Sequence, residues 1–464
     1  MSERLFGTDG VRGIPGQAPL LPQTIQDIAA IAGRLLISRG ASLGNGSGPF
    51  ALMARDTRGS GPAIGRSLLA GFSASGVRVV DLGVIPTPAI SYLTPRLGAL
   101  CGVVISASHN PAEFNGIKFF DARGYKMDPG TEDAIERELK LGKRPKPSPA
   151  AKAAGKTQDG RREGERYLDF LRSTFPATLD LTGMTIVVDC ANGAAGPFAP
   201  RLLESLGARV IAVGCKPDGK NINASCGALF PSNMQRLVLK HGADCGVCFD
   251  GDADRAIFSD EKGQLLDGDA LICLSALRLR RLGLLNHDKV VLTVMSNFGL
   301  LRFLAEQGIA VATVPVGDRN VTEAIEKENL SLGGEASGHV IFRRFSPTGD
   351  GMLTALQTLA ALRESGKPLS AHRKSFHAIP QIIQNLEVRS KPPLKDLKDV
   401  GSLIAKFERE LKGEGRIFVR YSGTEPLLRI MIEGPKEARI KEMARGIAAA
   451  FLEETGQRQE ASNR

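Results

Sequence analysis

The chain has 464 residues, which is enough for about three or four domains. Its 42% hydrophobic and 24% charged residues are typical of a globular protein and exclude a disordered one. No apolar run reaches the roughly 18 residues that cross a bilayer, and the first residues lack the apolar core of a secretion signal. We therefore expect a cytoplasmic protein that does not contact membranes.

The net charge of +10 favours anionic partners in general. Nucleic acid is one such partner, but the chain has no Trp, only four Tyr and no compact basic block mixed with aromatic residues. Much of the positive charge lies in 140–166, whose composition is typical of a solvated linker. We therefore expect no binding of nucleic acid.

The seven cysteines are an odd number and lie mostly in apolar runs, which indicates reduced thiols rather than disulfides. Cys245 and Cys248 have the spacing of half a zinc site. No second pair accompanies them, and they lie in a predicted strand. We therefore favour packing in the core for both.

Three segments repeat one order of elements: an apolar helical pattern, a glycine, a β-branched strand, a short apolar strand and a polar loop. The β-branched strands lie in 74–83, 205–214 and, more loosely, 306–314. This order predicts three similar α/β modules with mixed sheets.

The pattern changes after about residue 375. Short strand patterns at 386–388, 416–421 and 428–433, followed by a helical pattern at 435–454, predict a smaller α+β domain. The predicted fold is thus three α/β modules and one α+β domain around a central cleft, with boundaries at 1–150, 151–258, 259–374 and 375–464.

The first two modules share a strand frame. Residues 98–103 read Gly-Ala-Leu-Cys-Gly-Val, and residues 242–247 read Gly-Ala-Asp-Cys-Gly-Val. In this register Ser108 and Asp252 occupy the same place after the same strand. One loop offers a hydroxyl beside the imidazole of His109, and the other offers three carboxylates. A nucleophile and a cation on sister modules indicate metal-assisted group transfer.

The carboxylates belong to Asp250, Asp252 and Asp254, which alternate on a tight turn with Gly251. Alternate acids after a buried strand can converge on one hard cation, whereas without a cation they would repel one another. A solvated acidic turn is the alternative, and an EF-hand is excluded because its later glycine and glutamate are missing. An all-oxygen site with few protein ligands favours Mg²⁺.

Ser108 beside His109 by itself is more typical of a polar turn, and it is the register with the acidic loop that favours a nucleophile. A serine near Mg²⁺ with no evident triad is better suited to carry a phosphoryl than an acyl group. Lys118 stands in an apolar strand, where desolvation would lower its pKa and let it act as an acid or base. A lysine at the strand edge with its ammonium in solvent is the alternative.

Three further loops carry polar groups. Two guanidiniums, two hydroxyls and a glycine near the end of the chain form a candidate phosphate clamp, with an ordinary hairpin turn as the alternative: Arg420, Ser422, Gly423, Thr424 and Arg429. Glu335 and Ser337 could bind sugar hydroxyls, although a plain turn is equally consistent. Arg12 lies on a glycine-rich segment at the start, where it could add charge near a phosphoryl group, with an exposed N-terminal arm as the alternative. No nucleotide-binding P-loop motif is present.

Together these loops resemble the four signature loops of the α-D-phosphohexomutase superfamily. They occur in the order of that family, and the similarity spans nearly the whole chain. The four segments are Ser-Ala-Ser-His-Asn-Pro at 106–111, Asp-Gly-Asp-Ala-Asp-Arg at 250–255, Gly-Glu-Ala-Ser-Gly-His at 334–339 and Arg-Tyr-Ser-Gly-Thr-Glu-Pro at 420–426.

Within the superfamily the chain most resembles the bacterial branch that interconverts glucosamine 6-phosphate and glucosamine 1-phosphate. Segments 6–13, 217–227 and 316–319 carry this similarity. Ala336 departs from the glutamine usual in the branch, and Asn320 departs from an aromatic residue. Ala336 leaves the selectivity for the sugar open.

The resemblance implies that Ser108 is phosphorylated in the resting enzyme and gives its phosphate to the substrate. The resulting 1,6-bisphosphate would turn around and return its other phosphate, and the product would feed synthesis of UDP-N-acetylglucosamine and cell-wall precursors. The implied cofactors are Mg²⁺, held by Ser108 and the three aspartates, and glucosamine or glucose 1,6-bisphosphate as primer.

The resemblance also implies roles for the other residues. His109, Lys118 and Arg12 would serve catalysis, and the substrate-binding set would be Arg255, Gly317, Asp318, Glu335, Ser337, Arg420, Ser422, Gly423, Thr424 and Arg429. The partner would be a small sugar phosphate, and a homodimer is the candidate oligomer. The alternatives are a phosphomannomutase/phosphoglucomutase with the same chemistry and a non-catalytic relative that binds sugar phosphates.

Overall fold

The computed structural model describes residues 4–7, 9–40, 48–142, 157–422 and 426–457. Contacts between residues divide the chain into two compact units. The first contains Met1–Met295 and Ile309–Ser375, and the second contains Ser296–Gly308 and Phe376–Arg464.

The first unit opens with a six-stranded mixed sheet in the order β1-β5-β4-β2-β3-β6. The strands are β1 (Val11–Gly13), β2 (Phe50–Arg55), β3 (Arg78–Val84), β4 (Cys101–Ile105), β5 (Asn115–Phe120) and β6 (Thr157–Asp159). The helices of this region are α1 (Pro22–Ser38), α2 (Gly61–Ala74), α3 (Thr87–Leu97), α4 (Pro129–Lys140) and α5 (Glu163–Thr174).

A second sheet follows in the order β11-β10-β9-β7-β8. Its strands are β7 (Thr185–Asp189), β8 (Arg209–Val213), β9 (Cys245–Phe249), β10 (Ala256–Asp260) and β11 (Leu265–Leu266). Its helices are α6 (Ala199–Ser205) and α7 (Ser232–His241).

A third sheet has the order β13-β12-β14-β15. Its strands are β12 (Lys289–Thr293), β13 (Ala310–Val314), β14 (Leu332–Gly334) and β15 (Val340–Phe342). The helices of this part of the first unit are α8 (Gly268–Arg281), α10 (Asp318–Lys327), α11 (Gly351–Ser365) and α12 (Leu369–Arg373), with a 3₁₀ turn at Asn286–Asp288.

The three sheets share one arrangement of four strands: β3-β2-β4-β5, β8-β7-β9-β10 and β13-β12-β14-β15. In each, the first three strands are parallel and the fourth is antiparallel to the third. The loops that carry Ser108, the three aspartates and Glu335 therefore follow equivalent strands, namely β4, β9 and β14. The predicted fold of three similar α/β modules is confirmed.

The repeated frame has a local physical cause. Its first residue, Gly98 or Gly242, ends the preceding helix in the left-handed conformation, with φ of 69° and 58°. Glycine adopts this conformation without a Cβ clash. The β-branched and cysteine residues that follow form β4 and β9, and both strands are buried along their whole length.

The second unit holds a three-stranded antiparallel sheet in the order β16-β18-β17. Its strands are β16 (Gln381–Glu387), β17 (Arg416–Tyr421) and β18 (Leu427–Glu433), and its helices are α9 (Phe298–Glu306), α13 (Lys398–Leu411) and α14 (Glu437–Glu454), with a 3₁₀ turn at Leu394–Asp396. The apolar sides of α13, α14 and the sheet form its core. The predicted α+β domain is confirmed.

Among the described residues, no helix combines the length and the apolar composition needed to span a membrane.

Candidate active site

Ser108 lies in the loop after β4 and is buried, with 1% of its surface exposed. Its Oγ donates a 2.6 Å hydrogen bond to Oδ2 of Asp250 and lies 3.4 Å from Nδ1 of His109. Its backbone is left-handed, with φ of 52°, a conformation that a non-glycine residue keeps only when its surroundings hold it. The structure thus brings the predicted nucleophile and the first predicted metal ligand into contact.

The loop after β9 brings the three aspartates together. Asp250, Asp252 and Asp254 are all buried, and one carboxylate oxygen of each lies within 4.8 Å of the others. Burial, and then repulsion from Asp254 and Asp252, raise the pKa of Asp250 well above its ordinary value. Without a cation, this cluster therefore favours a proton on one carboxylate.

Two carboxylate oxygens of the cluster accept no hydrogen bond from the described residues. Oδ1 of Asp252 and Oδ1 of Asp254 are buried and have no hydrogen-bond partner among the described residues. A buried carboxylate oxygen without a partner is costly, and a hard divalent cation would satisfy both oxygens. The donor set therefore fits Mg²⁺.

Gly251 permits the close approach of the two loops. A Cβ at this position would lie 2.7 Å from the carbonyl oxygen of Ser108 and 2.9 Å from Nδ2 of Asn223. Real Cβ atoms do not come so close to other atoms. A glycine is therefore required where the acidic loop packs on the serine loop.

Lys118 is 2% exposed and stands on β5 among carboxylates. Its Nζ lies 2.8 Å from Oδ2 of Asp252, 2.9 Å from Oδ2 of Asp9 and 3.5 Å from Oδ2 of Asp254. Burial opposes the charge, but these carboxylates raise the pKa of Lys118 well above its usual value. The predicted lowering of its pKa is wrong, and so is the alternative of a solvent-facing edge lysine. Lys118 is a fixed cation.

Asp9 was missed by the sequence interpretation. Besides Lys118 it contacts the guanidinium of Arg12 and the ammonium of Lys126. Burial opposes ionisation, but Lys118, Lys126 and Arg12 lower the pKa of Asp9 well below its ordinary value. Asp9 therefore remains an anion that holds three cations together.

Two arginines each have a side-chain N–H group that could bind a ligand. Nε of Arg12 and Nε of Arg255 are buried and lack hydrogen-bond partners among the described residues. The backbone N–H of Arg255 donates to Oδ1 of Asp250 at 3.2 Å. Both guanidiniums could therefore bind an anionic phosphoryl group.

His109 is neutral near pH 7. Burial, followed by the nearby charges of Arg255 and Arg12, lowers the pKa of His109 to about 4. A neutral imidazole can accept a proton, which suits the catalytic role expected for it.

The third loop meets the acidic loop through His339. Its Nδ1 lies 3.7 Å from Oδ2 of Asp254, and its Nε2 lies 3.8 Å from Oδ2 of Asp318. Asp318 also pairs with Lys126. Oε1 of Glu335 accepts a 3.0 Å hydrogen bond from the N–H of Gly317, which brings two predicted substrate-binding residues together.

Ser337 is exposed beside this group. A hydroxyl on the surface of the loop can reach a ligand without rearrangement of the fold.

The candidate phosphate clamp lies in the second unit. Arg420 and Arg429 are direct cross-strand partners on β17 and β18. Burial and the charge of Arg429 lower the pKa of Arg420, so an anion between the two would relieve their repulsion. Ser422 is buried, and its carbonyl oxygen accepts a 2.7 Å hydrogen bond from Nζ of Lys391, which the sequence interpretation missed. Gly423 and Thr424 lie outside the described residues.

Four sequence models of the phosphoglucomutase/phosphomannomutase family match the chain. The α/β/α domains I, II and III match residues 3–145, 165–263 and 267–378, and the C-terminal domain matches 384–450. The chain belongs to this family. The resemblance to the α-D-phosphohexomutases is therefore confirmed.

Curated relatives within this family have high similarity over their full lengths. A protein of Syntrophotalea carbinolica named phosphoglucosamine mutase is 43% identical over 458 residues, which cover 99% of both chains. A phosphoglucosamine mutase of Myxococcus xanthus is 46% identical over 451 residues, which cover 97% of both.

Solved structures share the fold at lower identity. A phosphoglucomutase/phosphomannomutase family protein of Burkholderia thailandensis has a TM-score of 0.79 at 24% identity, covering 99% of both chains. The Aspergillus fumigatus N-acetylphosphoglucosamine mutase, solved with GlcNAc-6P and magnesium, has a TM-score of 0.67 at 19% identity, covering 97% of this chain and 96% of that one.

One further residue of this phosphohexomutase site had no signal in the sequence. Thr87, at the start of α3, donates from its Oγ1 to Oδ2 of Asp252 at 2.7 Å, and its N–H donates to the carbonyl oxygen of Asp252 at 2.9 Å. Thr87 and Lys118 both bind Oδ2, which leaves Oδ1 of Asp252 for a cation. A threonine 165 residues away in the chain cannot be linked to this aspartate by any local pattern.

Proposed function

We propose that this chain interconverts glucosamine 6-phosphate and glucosamine 1-phosphate, with Ser108 as the phosphate carrier. The observation that carries the proposal is the 2.6 Å contact between Oγ of Ser108 and Asp250 inside the buried acidic cluster. The relatives named phosphoglucosamine mutase support the choice of substrate.

In the first step, the hydroxyl on C1 of glucosamine 6-phosphate attacks the phosphorus of phospho-Ser108. The bond from phosphorus to Oγ breaks, and a bond from phosphorus to the sugar oxygen forms. The sugar hydroxyl gives its proton to the neutral imidazole of His109, and that proton passes to the departing Oγ, 3.4 Å from Nδ1. The product is glucosamine 1,6-bisphosphate with unphosphorylated Ser108.

In the second step, the bisphosphate has turned around and its 6-phosphate faces Ser108. Oγ attacks that phosphorus, glucosamine 1-phosphate leaves, and phospho-Ser108 is restored. Proton transfer runs in the reverse order. The number of phosphoryl groups is unchanged over the cycle, so a trace of glucosamine or glucose 1,6-bisphosphate would be sufficient as primer.

Asp250, Asp252 and Asp254 would hold Mg²⁺ together with a phosphoserine oxygen. When bound there, the ion would draw negative charge from the transferring phosphoryl group. Arg12, Arg255 and Lys118 would add fixed positive charge around the same group. Glu335 and Ser337 would bind sugar hydroxyls, with Gly317 and Asp318 beside them.

In the second unit, we propose that Arg420, Ser422 and Arg429, with Gly423 and Thr424, bind the phosphate that does not react. We expect the enzyme to act in the cytoplasm. A homodimer remains a prediction, which sedimentation velocity would test.

A panel of hexose phosphates tests the proposal. The purified enzyme, with Mg²⁺ and a bisphosphate primer, is offered glucosamine, glucose and mannose 1-phosphates. We expect the highest kcat/KM with glucosamine 1-phosphate. Equal or better turnover of glucose 1-phosphate would favour the phosphomannomutase/phosphoglucomutase alternative.

Mass spectrometry tests the carrier independently. We expect a phosphate on Ser108 after incubation with the bisphosphate. Absence of this phosphate under all conditions would indicate a non-catalytic relative that binds sugar phosphates.

A further inference from the structure

Arg58 is a buried arginine outside the predicted site, and its side chain has no exposed surface. All five of its N–H groups have partners, so the whole donor set of the guanidinium is used. Nε donates to Oδ2 of Asp56 at 2.9 Å, and the other four bonds go to backbone carbonyl oxygens. Those four carbonyls all belong to the loop that carries Ser108.

The acceptors are spread along the loop from residue 108 to residue 114. Nη2 donates to the carbonyl oxygens of Ser108 at 2.9 Å and Asn110 at 2.8 Å. Nη1 donates to that of Phe114 at 2.9 Å and also to that of Pro111. One planar cation therefore fixes the path of the backbone from residue 108 to residue 114.

Asn223 of the second module binds the same loop. Its Nδ2 donates to the carbonyl oxygens of Ser108 at 2.9 Å and Asn110 at 3.1 Å. The two carbonyls that Asn223 binds are thus two of the four that Arg58 binds. Asn223 is itself left-handed, with φ of 58°, which asparagine tolerates better than most residues.

A third contact holds the start of the loop. The N–H of Ser108 donates to Oγ of Ser106 at 2.8 Å, and that hydroxyl donates to Oδ2 of Asp56 at 2.6 Å. Asp56 is the carboxylate that pairs with Arg58. The strained φ of Ser108 is therefore fixed through both its N–H and its carbonyl.

We propose that Arg58 and Asn223 are positioning residues for phosphoryl transfer, which hold Ser108 in line with the acidic cluster. Neither side chain touches the reacting atoms. The inference rests on the proposed function, because it concerns the serine that would carry the phosphate. A small displacement of a reacting group slows a reaction strongly, whereas substrate binding by other loops is unaffected.

The experiment measures a single turnover. Dephosphorylated enzyme is mixed with saturating ³²P-labelled glucose 1,6-bisphosphate and Mg²⁺, and the rate of labelling of Ser108 is followed by rapid quench. We compare Arg58→Lys, which cannot span four carbonyls, and Asn223→Gly, which keeps the left-handed backbone and removes the amide.

Arg278→Lys is the matched control. Arg278 is also buried, and it binds Glu364 at 3.1 and 2.6 Å and Gln357 at 2.9 Å, away from the serine loop. Its loss tests whether removal of a buried guanidinium slows transfer merely by loosening the fold. The melting temperature is measured for all variants.

We expect Arg58→Lys and Asn223→Gly each to slow labelling by about 10-fold or more, with an unchanged KM for glucosamine 6-phosphate, while Arg278→Lys labels at the wild-type rate. If Arg58→Lys does not fold, the positioning role is tested by Asn223→Gly alone. Wild-type labelling rates in the folded variants would overturn the inference and leave the proposed function intact. A wild-type enzyme that takes no phosphate from the bisphosphate would overturn the proposed function and this inference with it.

Discussion

The loops after β4 and β9 follow the same strand frame, yet they are stabilised in different ways. Residues 106–114 are held by side-chain donors that bind their carbonyls, chiefly Arg58 and Asn223. Residues 250–255 are held by backbone N–H groups, such as those of Ala194, Thr87 and Gly351, which bind the carbonyls of Gly251, Asp252 and Ala253. The carboxylates of Asp250, Asp252 and Asp254 instead come together, with one oxygen of each within 4.8 Å of the others.

The difference follows from charge. The serine loop must present a single hydroxyl, so buried cations and amides can bind its backbone without competing for its ligand. The acidic loop presents three carboxylates, and Lys118, which pairs with two of them, binds their Oδ2 atoms and not their Oδ1 atoms. Backbone N–H groups support that loop, and Oδ1 of Asp252 and Oδ1 of Asp254 accept no hydrogen bond from the described residues.

The largest expected effect comes from Ser108→Ala, which removes the function of the first loop and leaves the second intact. We expect turnover to fall by more than about 1,000-fold and labelling from the bisphosphate to vanish, because the phosphoryl carrier is absent. Steady-state assays and mass spectrometry measure both.

Ser275→Ala is the control, because Ser275 is a buried serine whose hydroxyl, among the described residues, bonds to the carbonyl of Leu271 in its own helix. It should retain wild-type turnover. Activity of Ser108→Ala within 10-fold of wild type would contradict the assignment of the carrier.

Asp252→Asn disables the second loop instead. It removes one charge from the cluster, so we expect Mg²⁺ affinity and turnover each to fall by about 100-fold, with phosphate still able to reside on Ser108. Calorimetric titration with Mg²⁺ measures the affinity. Because the substitution also relieves repulsion, the melting temperature without metal should stay near that of wild type.

Asp260→Asn is the matched control. This aspartate is equally buried, but it accepts from the N–H groups of Lys262 and Gln264 and pairs with Arg373. It should leave Mg²⁺ affinity unchanged. A large loss of metal-free stability in Asp252→Asn would instead favour a purely structural role for the acidic turn.

Thr87→Val tests how the first module supports the second loop. Loss of the hydroxyl leaves Lys118 to hold Oδ2 of Asp252 without Thr87, so the carboxylate is oriented less firmly, and we expect Mg²⁺ affinity to fall by about 10-fold. Thr87→Ser should restore most of the affinity, because it keeps the donor. Equal affinity in Thr87→Val, Thr87→Ser and wild type would show that Lys118 alone orients the carboxylate.

The last prediction concerns the stability of a support of the acidic loop, not its chemistry. Asp350 caps α11, whose first N–H donates to the carbonyl of Ala253, and Tyr167 donates to Asp350 at 2.7 Å. Burial raises the pKa of Asp350 from 3.8 to about 6. The folded state therefore binds this proton more tightly than the unfolded state, and stability is lost as pH rises from about 4 through 6.

Asp350→Asn keeps the cap and cannot ionise. We expect it to match wild type at pH 4 and to be more stable at pH 7, by at most on the order of 3 kcal/mol. Melting temperatures of both proteins across this range measure the difference. A constant difference between pH 4 and pH 7 would show that Asp350 does not titrate in this range.

The elements that could be predicted from sequence are those whose cause is local. Gly98 and Gly242 end helices because they adopt positive φ, and the runs after them form buried strands because of their apolar, β-branched content. Ser108 and the three aspartates could be placed together because both loops follow the same strand in the same register.

Contacts between distant segments could not be predicted. The pKa of Lys118 is the clearest example, because its own strand is apolar and predicts a lowered value. The carboxylates that raise it come from residues 9, 252 and 254. Nothing near Lys118 in the chain indicates them.

The sequence by itself determined the three repeated modules, the smaller last domain and the residue types in each loop, because helix ends, strands and turns depend on neighbouring residues. Only the tertiary structure decided that Asp9 and Lys126 join the site, that Thr87 orients Asp252, and that Arg58 and Asn223 bind the serine loop. These are hydrogen bonds and ion pairs between segments far apart in the chain. Their strength depends on distance and burial in the folded state, which no local pattern records.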